Sequence, residues 1–259
     1  MITIKYGGHA QPNSGDIDAS FLKEVALMHQ KGERIVLVHG GGPEINRELT
    51  ERGITPRMVN GYRFTDERTL EIVQMVLIGK VLRSIVNTLI GIGVNAVGLT
   101  AGDAGIVRGS KFMPEGTDIG FVGQIDSVNT TPLTTLMEQG LLPVVSPLGV
   151  TSSGQALNIN ADTVAGAIGG ALRSDLVLFM TDVAGIYRQW PDPSSLISSI
   201  SIQELRSIEV SEGMIPKVRA IDNALEYGAA RVRIFDGRDP SNFSLALRGV
   251  VGTEVFAHV

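Results

Sequence analysis

RIVLVHGGGPEIN, residues 34–46, decides how the chain is read. Ile35, Val36, Leu37 and Val38 form an unbroken apolar run, which suits a strand covered on both faces of a parallel sheet. Gly40, Gly41 and Gly42 follow at once, and Pro43 opens a helix-like stretch from Glu44. Proline at a first helical position gives up an amide that has no intrahelical partner anyway. Strand, glycine turn and helix start, in that order, point backbone N–H groups at an anion and remove the Cβ atoms that would hold it off. A tight turn without a ligand satisfies the same spacing, so this stretch alone leaves both readings open.

Working outward, residues 2–6 predict a first strand with Lys5 near its end, broken by Gly7 and Gly8. Asp18 can cap a helix to about Gln30, with Phe21, Leu22, Val25 and Met28 on one face. Beyond the glycine turn, a helix stops at Gly53 and residues 60–66 read as a hairpin-like stretch. Thr65 or Asp66 caps a long helix over 70–90, whose apolar face is broad enough for a subunit contact as well as the core. Further strands are predicted at 96–99, 142–145, 175–180, 232–235 and 254–256, and hairpins across 106–128. Residues 149–162 read as a polar loop. They lead into a helix of small residues over 163–172, suited to close packing on a sheet, with Asn160 the better cap and Asp162 left for other work. Ser201 and Glu204 have capping-box spacing, and Pro216 and Lys217 open a helix that Gly228 stops. This alternation predicts an α/β three-layer sandwich with a central, mainly parallel sheet and ligands at the strands' C-terminal ends. Two lobes are expected, 1–172 and 173–259.

The 259 residues are 43% hydrophobic and 19% charged, a globular composition. A net charge of −5 leaves no basic field for nucleic acid or anionic lipid, so an anion must be held by local groups. With no cysteine, thiolate chemistry and zinc–thiolate sites are excluded, and a cytoplasmic, reducing setting is expected. The four histidines show no metal-ligand spacing, and no apolar run approaches the ~18 residues of a membrane span.

Three short matches mislead. Gly91, Gly93 and Ala96 have dinucleotide-loop spacing, but they follow a helix and precede a strand, the reverse of what that mechanism needs. His39-Gly40-Gly41-Gly42 resembles an esterase oxyanion turn, yet no GxSxG nucleophile exists, and GxxxxGK[ST] is also absent. What remains is a set of junctions: Lys5 to Gly8, Gly40 to Gly42, Asn158 to Asp162, Thr181 to Ile186, and Lys217. Two lysines with several amide-rich turns suit a polyphosphate, although either lysine alone is equally a solvated side chain. Lys217 falls in a first helical turn, where the dipole disfavours a cation, so something anionic must face it. No His–Asp or paired-carboxylate arrangement presents itself as a general base. A carboxylate attacking the γ-phosphate of ATP needs none, only cations and N–H donors for the charge in transit.

These segments resemble the amino-acid kinase family, and within it the branch acting on N-acetyl-L-glutamate. The resemblance rests on IKYGG (4–8), VLVHGGGPEIN (36–46), GYRFTD (61–66), AVGLTAGD (96–103), GFVGQIDSVN (120–129), LNINADT (157–163), TDVAGI (181–186) and GMIPKV (213–218), in family order along nearly the whole chain. It implies a carbamate-kinase-like fold and ATP-dependent phosphorylation of an acylated amino acid's side-chain carboxylate. Lys5 and Lys217 would stabilise the transferring phosphoryl group, with Asp162 holding both ammonium groups in place. Gly8, Gly41 and Gly42 would contact that group, Gly41 and Gly42 also lying near the substrate. Arg63 would grip the α-carboxylate, and Asn158 the N-acetyl group or backbone. Thr181, Asp182, Val183, Gly185 and Ile186, with Glu209, Val210 and Ser211, would line the nucleotide pocket, Mg²⁺ riding mainly on the ATP phosphates. The first lobe would take the acyl substrate and the second ATP, and the long helix would support a homodimer. Alternatives are a kinase for a carrier-protein-linked aminoadipate or glutamate, whose members usually vary the HGGG and NINAD segments intact here, and a non-catalytic ligand-binding member of the fold. His9, Ala104 and Ser211-Glu212 depart from the usual pattern. Arginine-inhibited relatives carry a helix before the first strand, so feedback of that kind is not expected here.

Overall fold

The computed structural model describes residues 1–7, 19–208, 210 and 214–257. β1 (Ile2–Tyr6), α1 (Ala19–Gln30) and β2 (Ile35–His39) open the chain, and all five residues of β2 are buried. α2 (Gly42–Glu51) starts with Pro43 in its first turn and is followed by Gly53 at φ +72°. β3 (Met58–Val59) and β4 (Tyr62–Arg63) form a hairpin closed by Asn60 and Gly61, both at positive φ, as a type I′ turn requires. The Asp66 carboxylate accepts the Thr69 N–H at 2.7 Å and caps α3 (Glu67–Gln74). The helix runs on through a π-type stretch, Met75–Leu82, into α4 (Arg83–Gly91), making one rod from 67 to 91.

β5 (Ala96–Thr100), β6 (Val107–Lys111), β7 (Gly123–Val128), α5 (Thr131–Glu138) and β8 (Leu142–Ser146) come next. The polar loop expected over 149–162 is instead largely a hairpin of β9 (Leu148–Val150) and β10 (Ala156–Asn158). Gly154 at φ +88° and a Thr151 N–H to Gln155 carbonyl bond of 2.9 Å close it. Strands of three residues are too short to show alternation, which is why the sequence pattern hid them. α6 (Ala161–Ala171) is capped by Asn160, whose side chain accepts the N–H groups of Asp162 and Thr163 at 2.8 and 3.3 Å. β11 (Leu176–Thr181), β12 (Ser199–Ser201), α7 (Ile202–Arg206), α8 (Ile215–Glu226), β13 (Arg231–Asp236), α9 (Ser241–Leu247) and β14 (Thr253–Phe256) complete it.

The main sheet has the order β12-β14-β13-β11-β1-β2-β8-β5. Neighbours from β5 across to β13 are parallel, and β14 reverses against β13. The chain before Leu172 supplies β1, β2, β5 and β8, and the chain after it supplies β11 to β14. The two sets join in one ladder, β1 with β11, running from Ile2 beside Leu176 to Lys5 beside Phe179. Strand order thus departs in opposite directions around β1, and a crevice opens at the C-terminal ends there. α1, α2, the rod and α9 cover one face and α5 to α8 the other, giving two apolar cores and three layers. A second sheet, β10-β9-β6-β7, stands beside the main one. Among the described residues, no helix is long and apolar enough to cross a membrane.

Candidate active site

The C-terminal end of β1 carries Lys5, which is only 8% exposed. A buried ammonium needs a partner. Asp162, in the first turn of α6 and 6% exposed, places Oδ1 2.8 Å from the Lys5 Nζ. Its other oxygen lies 3.8 Å from the Nζ of Lys217, in the first turn of α8. Because Asn160 does the capping of α6, the Asp162 side chain is left to turn toward both cations. The same carboxylate accounts for a lysine at a helix N-terminus, where the dipole works against it.

Lys5, Gly41, Gly42, Arg63, Asn158, Asp162 and Lys217 all line one cavity of about 380 Å³. The N-termini of α2, α6 and α8 open onto it, so three positive dipole ends and two ammonium groups face one space. That is an environment for an anion with several oxygens.

The glycine turn divides its labour. Gly40 donates its N–H to the Tyr6 carbonyl at 2.9 Å, which extends the β1–β2 ladder and withdraws that amide from ligand binding. Gly41 and Gly42 stand at the start of α2, where N–H groups lack intrahelical partners. A Cβ on Gly41 would meet the Leu77 side chain at 2.6 Å, whereas one on Gly42 would meet nothing within 4 Å and would project into open space. So Gly41 is small to sit against the rod. His39, wholly buried, lies 2.8 Å through Nδ1 from the Gly40 carbonyl, and since a carbonyl only accepts, that nitrogen donates. Burial pushes its pKa down to about 4, more than the Gly40 bond raises it, so the ring is neutral and structural.

Arg63 ends β4, on the hairpin beside the cavity. Its guanidinium donates to the Asn46 side-chain oxygen at 2.6 Å and to the Gly42 carbonyl at 3.4 Å, and burial lowers its pKa. The Asn158 amide donates to the Thr65 hydroxyl at 3.0 Å, and that hydroxyl donates to the Arg63 carbonyl at 2.7 Å. Asn46 and Thr65 therefore orient two cavity-lining groups, roles the sequence leaves unassigned. Asn46 lies in the same glycine-turn stretch, one helical turn past Gly42, and so lines the same cavity, but nothing local marks its bond to Arg63.

Gly8, Glu209 and Ser211 fall outside the described residues. Thr181, Asp182, Val183, Gly185, Ile186 and Val210 do not line the cavity of the lysines. Thr181 ends β11 beside the crevice, and its carbonyl accepts the Gly237 N–H at 2.9 Å. Gly185 and Ile186 are buried, the latter donating its N–H to the Thr253 hydroxyl at 2.8 Å. Past the ends of β11 and β13 lies a separate cavity of about 320 Å³, lined by Ala184, Leu196, Asp236 and Asn242 among others.

Residues 1–236 match the amino acid kinase family. The chain belongs to that family. This amino acid kinase is 44% identical over 256 residues to the acetylglutamate kinase of Symbiobacterium thermophilum, a match covering 95% of this chain and 87% of that one. It is 43% identical over 249 residues to the acetylglutamate kinase of Desulforamulus reducens, covering 94% and 86%. Among solved structures, carbamate kinase from Giardia lamblia bound to AMP-PNP shares the fold with a TM-score of 0.71 at 18% identity, covering 99% and 98%. N-acetylglutamate synthase from Neisseria gonorrhoeae, complexed with coenzyme A and N-acetyl-glutamate, gives 0.85 at 24% identity, and the amino acid kinase chain spans 59% of its length. The α/β sandwich with a mainly parallel central sheet is thus the fold of the family.

Proposed function

We propose that this protein is an ATP-dependent kinase that phosphorylates the side-chain carboxylate of N-acetyl-L-glutamate, giving N-acetyl-L-glutamyl 5-phosphate in arginine biosynthesis. The observation that carries the reading is the convergence of Lys5 and Lys217 on Asp162, inside a cavity that Arg63 also lines. The name shared by the relatives supports the choice of acceptor. The nucleophile arrives as a carboxylate, so no group has to remove a proton from it. A bond forms between a carboxylate oxygen and the γ-phosphorus, and the bond from that phosphorus to the ADP oxygen breaks. The obstacle is charge: two anions must approach, and negative charge shifts onto the transferring oxygens. Lys5 and Lys217 offset it, joined by the Gly41 and Gly42 amides and by Gly8. Asp162 keeps the ammonium groups from spreading apart before substrate binds.

Arg63 takes the α-carboxylate through its guanidinium fork, and Asn158 takes the N-acetyl group. The nucleotide lies toward the chain after Leu172, along Thr181, Asp182, Val183, Gly185 and Ile186 and the segment Glu209, Val210 and Ser211. Both oxygens of Asp162 face ammonium groups, which supports Mg²⁺ entering on the ATP phosphates rather than on a protein carboxylate. The protein acts in the cytoplasm as a homodimer joined along the rod, where Met75 and Ile90 are 49% and 55% exposed. An ADP-release assay with N-acetylglutamate as acceptor tests the activity. Turnover is expected, and no turnover at millimolar acceptor overturns the reading.

A further inference from the structure

The two acidic and basic partners Asp162 and Lys217 belong to helices that run side by side. Asp162 faces Lys217, Gly166 faces Ala220, and Gly170 faces Ala224, so α6 and α8 are parallel and meet about once per helical turn. At the glycines the backbones nearly touch. A Cβ on Gly166 would overlap the Ala220 carbonyl oxygen and lie 3.5 Å from the Ala220 Cα. One on Gly170 would stand 2.7 Å from the Ala224 carbonyl oxygen and 2.6 Å from the Tyr227 Cβ. These obstacles are backbone atoms and a Cβ, not flexible side-chain ends. On its other side α6 is held equally closely, since a Cβ on Gly169 would meet Val177 and Thr3 of the sheet. Of these three glycines, Gly169 serves the packing on the sheet that the sequence leads one to expect, and Gly166 and Gly170 face α8.

Helix propensity does not explain the glycines, because glycine inside a helix costs roughly 1 kcal/mol against alanine. Packing density does not require them either, since alanine or larger residues fill most helix contacts at ordinary spacing. What glycine alone permits is this separation. We propose that Gly166 and Gly170 are positioning residues: the α6–α8 seam is a ruler that sets how far Lys217 stands from Asp162, and hence from Lys5. The inference rests on the phosphoryl-transfer reading of the lysines. A methyl group at 166 must push α8 away by the order of an ångström, because close-packed elements shift rather than compress. Lys217 lies one turn from that contact and moves with its helix. Displacement of a reacting group by about 1 Å can cost on the order of a hundredfold in rate.

The test is a double-mutant cycle on kcat with Gly166→Ala, Lys217→Ala and the pair, each variant first confirmed as folded by circular dichroism. Gly166→Ala is expected to lower kcat by roughly 10- to 100-fold while changing KM for N-acetylglutamate by less than about threefold. In that background Lys217→Ala should cost less than it does alone, by about the factor already lost, because the ammonium it removes is already misplaced. Multiplying effects, or a loss confined to KM, would overturn the ruler and leave the glycines as packing only. Should Lys217→Ala alone leave kcat intact, the phosphoryl-transfer role of Lys217 fails instead, which separates the two ideas. If Gly166→Ala does not fold, Gly170→Ala, one turn farther from the pair, carries the same cycle with a smaller expected loss of about threefold to tenfold.

Discussion

Asp162 shows how one side chain changes the meaning of two others. Without it, Lys5 is a charge buried at a loss and Lys217 a cation at the wrong end of a helix. With it, both become fixed sources of positive potential facing one cavity. Lys5→Ala and Lys217→Ala are each expected to lower kcat by on the order of a hundredfold or more, with KM for the acceptor changed far less, since the charge they meet develops in transit. Steady-state kinetics in both substrates checks this, and a loss in KM alone contradicts it. His39 predicts a pH effect of a different kind. Its folded pKa of about 4 lies below the ordinary 6.5, so below pH 6.5 the unfolded chain takes up a proton that the native state refuses. Stability is therefore full above pH 6.5 and falls as pH drops toward 4, by up to about 3 kcal/mol. Urea midpoints at pH 7 and pH 4.5 should show a smaller acid loss for His39→Gln than for the wild type. At this scale the sequence made the lysines and Asp162 legible, because their neighbours carry a recognisable pattern. It hid Asn46 and Thr65, whose work is to hold Arg63 and Asn158, since a hydrogen bond between residues far apart in the chain leaves no local trace.

Elements were legible where they are long or punctuated. β2, α2 and the rod announce themselves through an apolar run, a proline and a capping aspartate. β9, β10 and β12, of three residues each, do not, because so few positions cannot display a period. The caps allow an element-level contrast. Asn160→Ala should destabilise by about 1–2 kcal/mol, lowering Tm by roughly 2–6 °C, and should also reduce kcat, because the first turn of α6 carries Asp162. Asp66→Ala removes a comparable cap at the rod, and should cost about 1 kcal/mol with kcat unchanged. Differential scanning calorimetry beside the kinetic assay checks both, and equal kinetic losses in the two variants would contradict the assignment of Asn160.

The whole molecule is one sheet written by two stretches of chain. Renewed strand–helix alternation marks a change near Leu172 in the sequence, but nothing there marks the β1–β11 ladder, because pairing across some 170 residues is set by topology rather than by either strand's composition. That ladder makes the halves mechanically one. Amides of β1, β2 and β11 are expected to exchange with solvent together, at the free energy of global unfolding, and denaturant unfolding should follow a single transition. Hydrogen exchange read by mass spectrometry checks this, and a separate, earlier opening of 176–236 would contradict it. The same ladder has a consequence during synthesis. Among the strands of the main sheet β1 is made before the others, yet one of its edges has no neighbour until β11 emerges. Until then the nascent chain presents a strand, Ile-Thr-Ile-Lys-Tyr, with bare backbone groups along that edge, the kind of edge that recruits foreign strands. Chaperone dependence should therefore be greatest for nascent chains stalled before residue 176, and fall once 181 is released.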